Sequence, residues 1–181
     1  MMDRTDKPCR RRSCTTIHQI GALLCLGLVL LLAACTARST TEHLYALGET
    51  AEVDGWQVTL HGFSLVAGDS WRQPTAGHVF CAVELTLKNT SSQIRFVMPE
   101  RQMQLLAANR GYALDYEAGV MAARSRQWFV PQGEVDPSIE LHGAAAYEIP
   151  ADSQDLRWVF RSGLFPWSKK AVFALGELPH E

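Results

Sequence analysis

The chain has 181 residues, of which 47% are hydrophobic and 20% are charged. This composition is typical of a globular protein with one domain and short accessory segments, and it excludes an intrinsically disordered chain. The formal net charge is −2, and basic residues cluster only near the N-terminus. A nucleic-acid-binding protein is therefore not expected.

The N-terminus has the three parts of a secretory signal peptide. Lys7 and the run Arg10-Arg11-Arg12 are basic, residues 20–32 are apolar or glycine throughout, and Ala33 and Ala34 are small. A helix needs about 20 apolar residues to span a bilayer, and this stretch is shorter. The pattern therefore predicts a signal peptide over residues 1–34.

The segment Leu32-Ala33-Ala34-Cys35 resembles the lipobox of bacterial lipoproteins. The resemblance implies attachment of a diacylglyceryl group to the Cys35 thiol and cleavage between Ala34 and Cys35. It also implies export and membrane anchoring, and Thr36 favours the outer membrane if the cell has two membranes. The alternatives are an uncleaved signal anchor and a chance cysteine.

From Cys35 onward, 12 basic residues face 17 acidic ones, which gives a net charge of −5. Cys81 is then the one cysteine left without a lipid, so no internal disulfide is expected. Residues 35–44 are predicted to be the lipidated cysteine and a flexible tether, because most of them are polar and small.

Alternating apolar and polar residues predict strands along most of the remaining chain. Asp54-Gly55 predicts a tight hairpin turn, and Gly62 predicts a bulge. Residues 67–77 are predicted to be a loop, and residues 117–126 either a short helix or an open loop. The predicted strands cover Thr50–Val53, Trp56–Val66, and residues 79–88, 94–98, 102–107, 112–116, 139–149, 156–161 and 171–175. Many short strands with polar turns predict an all-β, antiparallel β-sandwich.

The order of several short motifs resembles a known family. These motifs are Gly48-Glu49, the strands ending at Leu60 and Asn89, Gly111-Tyr112, residues 131–134 and residues 147–150. The family comprises exported immunoglobulin-like domains of unknown function on bacterial lipoproteins, related to a mycobacterial immunoprotective extracellular antigen. The resemblance implies an immunoglobulin-like β-sandwich over residues 45–176, followed by a C-terminal tail at 177–181. It carries no catalytic residues.

Loop aromatics give the main functional indication in the sequence. Tryptophan and arginine are enriched where protein interfaces concentrate their binding energy. The alternative is that these side chains fill the open ends of the sandwich. The candidate interaction surface comprises Trp71, Arg72, Trp128, Phe129, Phe165 and Trp167.

Other reactive residue types give weaker indications. His61, His78 and His142 are candidate metal ligands, but a site would require them to converge, since zinc and copper need three or four ligands. Asp115 and Glu117 could share one side of a strand as paired carboxylates. Cys81 lies on an apolar strand face and should be buried. No metal site, cofactor or catalytic motif is predicted, so an enzyme is not expected.

The sequence therefore predicts a lipid-anchored β-sandwich that acts as a non-enzymatic binding or interaction module of the cell envelope. Its expected partners are the membrane, through Cys35, and an envelope protein. The alternatives are a lipoprotein that binds a small ligand or metal, and a purely structural envelope component. Exposed apolar patches would separate a binding module from a structural part.

Overall fold

The computed structural model describes residues 43–124 and 130–178. The predicted signal peptide, Cys35 and the tether up to residue 42 lie outside the described residues. Within the described ranges, eleven strands and two helices follow one another along the chain. The strands are β1 (Leu44–Tyr45), β2 (Thr50–Val53), β3 (Trp56–Val66), β4 (His78–Asn89), β5 (Arg95–Val97), β6 (Met103–Ala107), β7 (Arg110–Tyr112), β8 (Gly133–Val135), β9 (Glu140–Pro150), β10 (Leu156–Arg161) and β11 (Lys170–Gly176).

The strands form two large sheets and one small one. The five-stranded sheet has the order β1-β11-β10-β6-β7, and the four-stranded sheet has the order β2-β3-β4-β9. The pair β5-β8 is separate. Neighbouring strands are antiparallel except β1 and β11, which run parallel. The prediction of an all-β antiparallel sandwich is confirmed.

The core lies between the two large sheets. The four-stranded sheet contributes Trp56 and Leu87, and the five-stranded sheet contributes Trp158 and Phe173. Their burial follows from the period of two along each strand, which puts every second side chain on the inner face. The predicted inner face of β4, from Val79 through Leu87, packs against this core.

Local signals explain the limits of the longest hairpin. Asp54 and Gly55 both adopt positive φ, 50° and 80°, as a two-residue turn between twisted strands requires. The pairing of β3 with β4 shifts between Leu60 and Gly62, so the predicted bulge forms at His61. Because of this extra residue, Phe63 turns inward and packs against the core.

Two short helices interrupt the strands. Helix α1 (Pro99–Gln102) follows β5, and helix α2 (Tyr116–Arg124) precedes β8. Of the two alternatives for residues 117–126, the helix is the one formed. Helix α2 covers the outer face of the four-stranded sheet, where Ala118 packs on a fully buried Phe80.

Three local expectations differ from the structure. The strand predicted over residues 112–116 lies earlier in the chain, since β7 covers Arg110–Tyr112 and Tyr116 begins helix α2. A strand is predicted over residues 94–98, but β5 covers only Arg95–Val97, in which Val97 is buried and Phe96 is exposed. The physical reason is that β5 pairs only with β8 and belongs to neither large sheet. Leu178, in the segment predicted to be a tail, is buried against the core.

Across residues 43–124 and 130–178, no helix combines the length and apolar character needed to cross a membrane.

Candidate functional site

The loop between β3 and β4, residues 67–77, is folded onto itself. Asp69 Oδ1 accepts hydrogen bonds from the backbone N–H groups of Trp71 and Arg72, at 2.8 and 2.9 Å. Gln73 Nε2 donates to the Asp69 carbonyl at 2.7 Å. Asp side chains commonly close such turns by bonding backbone groups two residues on. The loop therefore holds Trp71 at a fixed place with 91% of its surface exposed.

Arg72 connects this loop to two other segments of the domain through ion pairs. Its Nη2 donates to Asp115 Oδ2 at 2.9 Å and to Glu148 Oε2 at 2.6 Å. Its Nε lies 3.5 Å from Glu117 Oε2, and its guanidinium carbon lies 5.1 Å from the centre of the Phe80 ring. Arg72 thus joins the loop to the start of α2 and to β9, whereas the sequence suggested that it belonged to a contact surface.

The partners of Arg72 are themselves anchored. Asp115 Oδ1 accepts from the Ala118 N–H at 2.9 Å, which caps the N-terminus of α2. Glu148 Oε1 accepts from the Thr75 N–H at 2.6 Å. Hydrogen bonds from the side chain and then the backbone of Thr75, more than Arg72, hold the pKa of the Glu148 carboxyl below its ordinary value. The bonds to Asp115 and then Glu148 raise the pKa of Arg72, so its guanidinium stays charged at neutral pH.

The hairpin between β10 and β11 carries a second exposed group, which we call the aromatic tip: Leu164, Phe165, Pro166 and Trp167. The rings of Phe165 and Trp167 stack with centres 4.9 Å apart and planes 9° apart. Trp167 is 81% exposed and Phe165 is 58% exposed. The backbone of the tip is closed by Ser168 N–H, which donates to the Phe165 carbonyl at 3.0 Å.

Ser162 forms the base of the aromatic tip and is buried. Its carbonyl accepts from Trp56 Nε1 at 3.3 Å and from Arg95 Nη2 at 3.2 Å. Its hydroxyl donates to Asp54 Oδ2 at 3.1 Å. These contacts join the base of the aromatic tip to Trp56 in the four-stranded sheet and to Asp54 in the β2–β3 turn. The aromatic tip is therefore attached to both large sheets of the sandwich.

The two exposed tryptophans lie at opposite ends of the sandwich. Ser162 contacts Trp56, the first residue of β3, whereas Trp71 follows Val66, the last residue of that strand. Eleven residues at about 3.3 Å each separate these ends by roughly 30 Å. The residues that the sequence predicts to form one interaction surface therefore belong to two separate surfaces. Trp128 and Phe129 lie outside the described residues.

The three candidate histidines do not converge. His61 Nε2 and His142 Nδ1 share the Thr86 hydroxyl, at 2.7 and 2.8 Å, and His142 Nε2 lies 2.9 Å from Glu140 Oε1. His78 begins β4, eight residues before Thr86 and about 26 Å away. The three-histidine arrangement is thus not formed, and no group of three or more potential ligands is assembled among the described residues.

The remaining reactive candidates have structural positions. Cys81 is fully buried, and burial raises the pKa of its thiol to about 12, which keeps it protonated at neutral pH. Asp115 caps α2 and binds Arg72, and Glu117 pairs with Arg72 from the exposed side. The two carboxylates face the same cation instead of a cleft.

The sequence did not indicate Glu148, Thr75, Ser162 or Arg95 as parts of these sites. Glu148 is 76 residues from Arg72, and Ser162 is 67 residues from Arg95. No periodicity or short motif encodes pairs so distant. The one local signal was Arg95 itself, a charged residue whose strand neighbours Ile94 and Phe96 are apolar.

Comparisons with known proteins give a family and a fold. The family described as "Domain of unknown function (DUF4352)" matches residues 45–172. The structure resembles ycdA, a candidate lipoprotein of Bacillus subtilis subsp. subtilis str. 168, with a TM-score of 0.55 and 13% identity. The match covers 70% of this chain and 38% of ycdA, so the chain spans less than half of that protein.

The yjhA protein of Bacillus subtilis also has a TM-score of 0.55, with 12% identity. That match covers 73% of this chain and 99% of yjhA. At these identities the likeness shows the shared fold alone. No curated protein matches the chain.

Proposed function

Because the chain belongs to the family called Domain of unknown function (DUF4352), whose name assigns no reaction, we propose a function from the geometry of the sandwich. The protein is an exported lipoprotein, anchored in a membrane through Cys35. Its β-sandwich is a non-enzymatic interaction module of the cell envelope that requires no cofactor. Its partner is an envelope protein, and the loop at residues 67–77 makes the contact.

The observation that carries this proposal is the presentation of Trp71. The Trp71 side chain is almost fully exposed, but the backbone of Trp71 is held by a hydrogen bond to Asp69. The next residue, Arg72, attaches the loop to Asp115 and Glu148. A tryptophan that becomes buried at an interface can dominate the binding energy. A loop already held in one conformation loses little entropy on binding. This combination suits a recognition surface better than a core plug.

The proposed anchor is supported by the sequence from Leu32 to Cys35 and by the basic, apolar and small segments around it. The description of ycdA as a candidate lipoprotein accords with it. The non-enzymatic part of the proposal is supported by the structural positions of Cys81, Asp115 and Glu117. The relation to a mycobacterial antigen stays a prediction.

The experiment is cross-linking in intact cells followed by affinity capture, with Trp71→Ala compared with the native protein. The matched control is Ile94→Ala, which removes an exposed apolar side chain from the opposite end of the sandwich. We expect one envelope protein to be captured by the native protein and the control and lost with Trp71→Ala, without a change in the melting temperature. Capture of the same proteins by all three would contradict the proposal.

A further inference from the structure

The aromatic tip is an exposed apolar projection that the proposed partner contact at Trp71 does not use. Phe165 and Trp167 stack on each other and leave most of their surfaces to solvent, and Leu164 is exposed beside them. Lys169 and Lys170, which follow after Ser168, are also exposed. Contiguous exposed apolar groups on a stable scaffold mark interaction sites.

The position of strand β1 shows where the chain enters the domain relative to the aromatic tip. Strand β1 runs parallel to β11, with Leu44 opposite Val172. In a parallel register, the residue before Leu44 lies level with Ala171, one residue beyond the start of β11. The chain therefore enters the described domain beside the hairpin that carries Trp167, and about 30 Å from the end that carries Trp71.

The chain between the proposed anchor at Cys35 and the described domain is short. His43, the first described residue, lies eight positions after Cys35, and a fully extended chain spans at most about 3.6 Å per position. A lipid attached at Cys35 would hold this end of the sandwich within about 29 Å of the bilayer surface. At that separation the tether gives the tip a high effective concentration at the membrane.

We propose that the aromatic tip docks onto the surface of the lipid bilayer that carries the anchor. This inference rests on the proposed lipid anchor at Cys35. Trp167 and Phe165 enter the interfacial region, where amphipathic aromatic rings are favoured. Lys169 and Lys170 lie at the level of the phosphate groups, which attract basic side chains.

Two features favour a lipid surface over a protein groove as the occupant. The tip projects at a hairpin end, so it can enter a headgroup layer without a shaped partner. It also lies at the end where the chain enters from Cys35, so the tether keeps it within reach of the bilayer. The docking orients the sandwich, and the loop that carries Trp71 then faces away from the bilayer.

The test uses mature, lipidated protein purified from cell membranes and reconstituted in vesicles of phosphatidylethanolamine and phosphatidylglycerol. Some of the lipids carry a fluorescence quencher near the headgroup. The native protein is compared with Trp167→Phe, which removes the indole and keeps a ring, and with the matched control Trp71→Phe at the far end. We expect lipid quenching of the native protein and of Trp71→Phe, and at least a twofold loss of quenching with Trp167→Phe.

A second variant, Phe165→Ser with Leu164→Ser, keeps the Trp167 fluorophore and removes its apolar neighbours. We expect it to lower the lipid quenching of Trp167. Quenching that is unchanged by Trp167→Phe, with Trp167 accessible instead to aqueous iodide, would overturn the proposal and would point to a protein contact for the tip.

The anchor is tested separately by co-sedimentation with the same vesicles and by the mass of the N-terminal peptide. If the protein carries lipid at Cys35 and sediments with the vesicles, but its Trp167 is not quenched, the proposed docking of the aromatic tip is contradicted. The proposed lipid anchor is then still supported. A processed Cys35→Ser protein that remains in the membrane fraction contradicts the anchor itself.

Discussion

Glu148 shows how one carboxylate supports an exposed loop from beneath. It binds the backbone of Thr75 with one oxygen and the guanidinium of Arg72 with the other. The loop that presents Trp71 is therefore attached to β9 at two points. Loss of the Glu148 charge would weaken both attachments at once, because both donors bind best to an ionised acceptor.

This gives a prediction for the dependence of stability on pH. The pKa of Glu148 in the folded protein lies below its ordinary value of 4.5, so its contribution to stability is present above about pH 4.5 and is lost as the pH falls through the lower folded value. Glu148→Gln should lower the urea midpoint at neutral pH, and this difference should shrink as the pH falls below about 4.5 and Glu148 becomes protonated. Glu134→Gln, at an exposed position of β8, is the control and should change the urea midpoint little. A Glu148→Gln deficit that stays constant with pH would refute this account.

The bond between Trp158 and Tyr147 is a second feature at the scale of single residues. Trp158 Nε1 donates to the Tyr147 hydroxyl at 2.7 Å, and both side chains are fully buried. Burial raises the pKa of Tyr147 well above its ordinary value, so the hydroxyl is neutral. The indole N–H of Trp158 is thereby satisfied within the core.

Tyr147→Phe should therefore destabilise the protein, because it leaves the Trp158 N–H without its acceptor. The expected loss in the free energy of unfolding is about 1–3 kcal/mol. Tyr112→Phe, on a half-buried tyrosine of β7, should change this free energy by less than about 0.5 kcal/mol. Denaturant titration of both variants measures the difference, and equal losses in the two would count against the hydrogen bond as the cause.

Helix α2 buries part of the outer face of the four-stranded sheet. Ala82 and Ala146 are register partners on the outer face of β4 and β9, and both are fully buried because Ala118 of α2 packs over them. Small side chains at all three positions allow the helix backbone to approach the sheet closely. The start of α2 also supplies Asp115 to Arg72, so its docking positions the loop at residues 67–77.

Enlarging Ala118 should displace the helix from the sheet. Ala118→Leu should cost about 1–3 kcal/mol in the free energy of unfolding, as overpacking of a tight contact does. Val120→Leu, at an exposed position of the same helix, should change it by less than about 0.5 kcal/mol. Amide hydrogen exchange in α2 should accelerate only in the first variant, and protected amides in Ala118→Leu would show that the helix is not held by this contact.

Elements with a complete local signal were predicted well, including the four-residue strand β2, whereas two of the shortest strands were missed. The limits of β3 and β10 agree with the predicted ranges, since each has a clear alternation and follows a polar turn. Strands β1 and β8 have two and three residues, too few for a period to be recognised. The alternation at β5 correctly indicated a strand, but alternation cannot reveal which sheet a strand joins.

At the scale of the whole molecule, the sandwich separates two surfaces that the sequence grouped together. The aromatic residues were recognised by type, but their positions depend on which strand ends meet, and that is fixed by pairing between distant strands. The register of β1 with β11 and the contact of Ser162 with Trp56 assign the aromatic tip to the end where the chain enters. Trp71 is assigned to the opposite end.

The pairing of β1 with β11 also makes the fold depend on complete synthesis. Leu44 finds its partner at Val172, so the first strand of the sandwich stays unpaired until the last one has been made. A chain truncated before residue 170 would leave β10 as an open sheet edge and would lose Phe173 from the core. Open edges of this kind template aggregation. An interrupted chain should therefore yield an aggregation-prone fragment instead of a smaller functional domain.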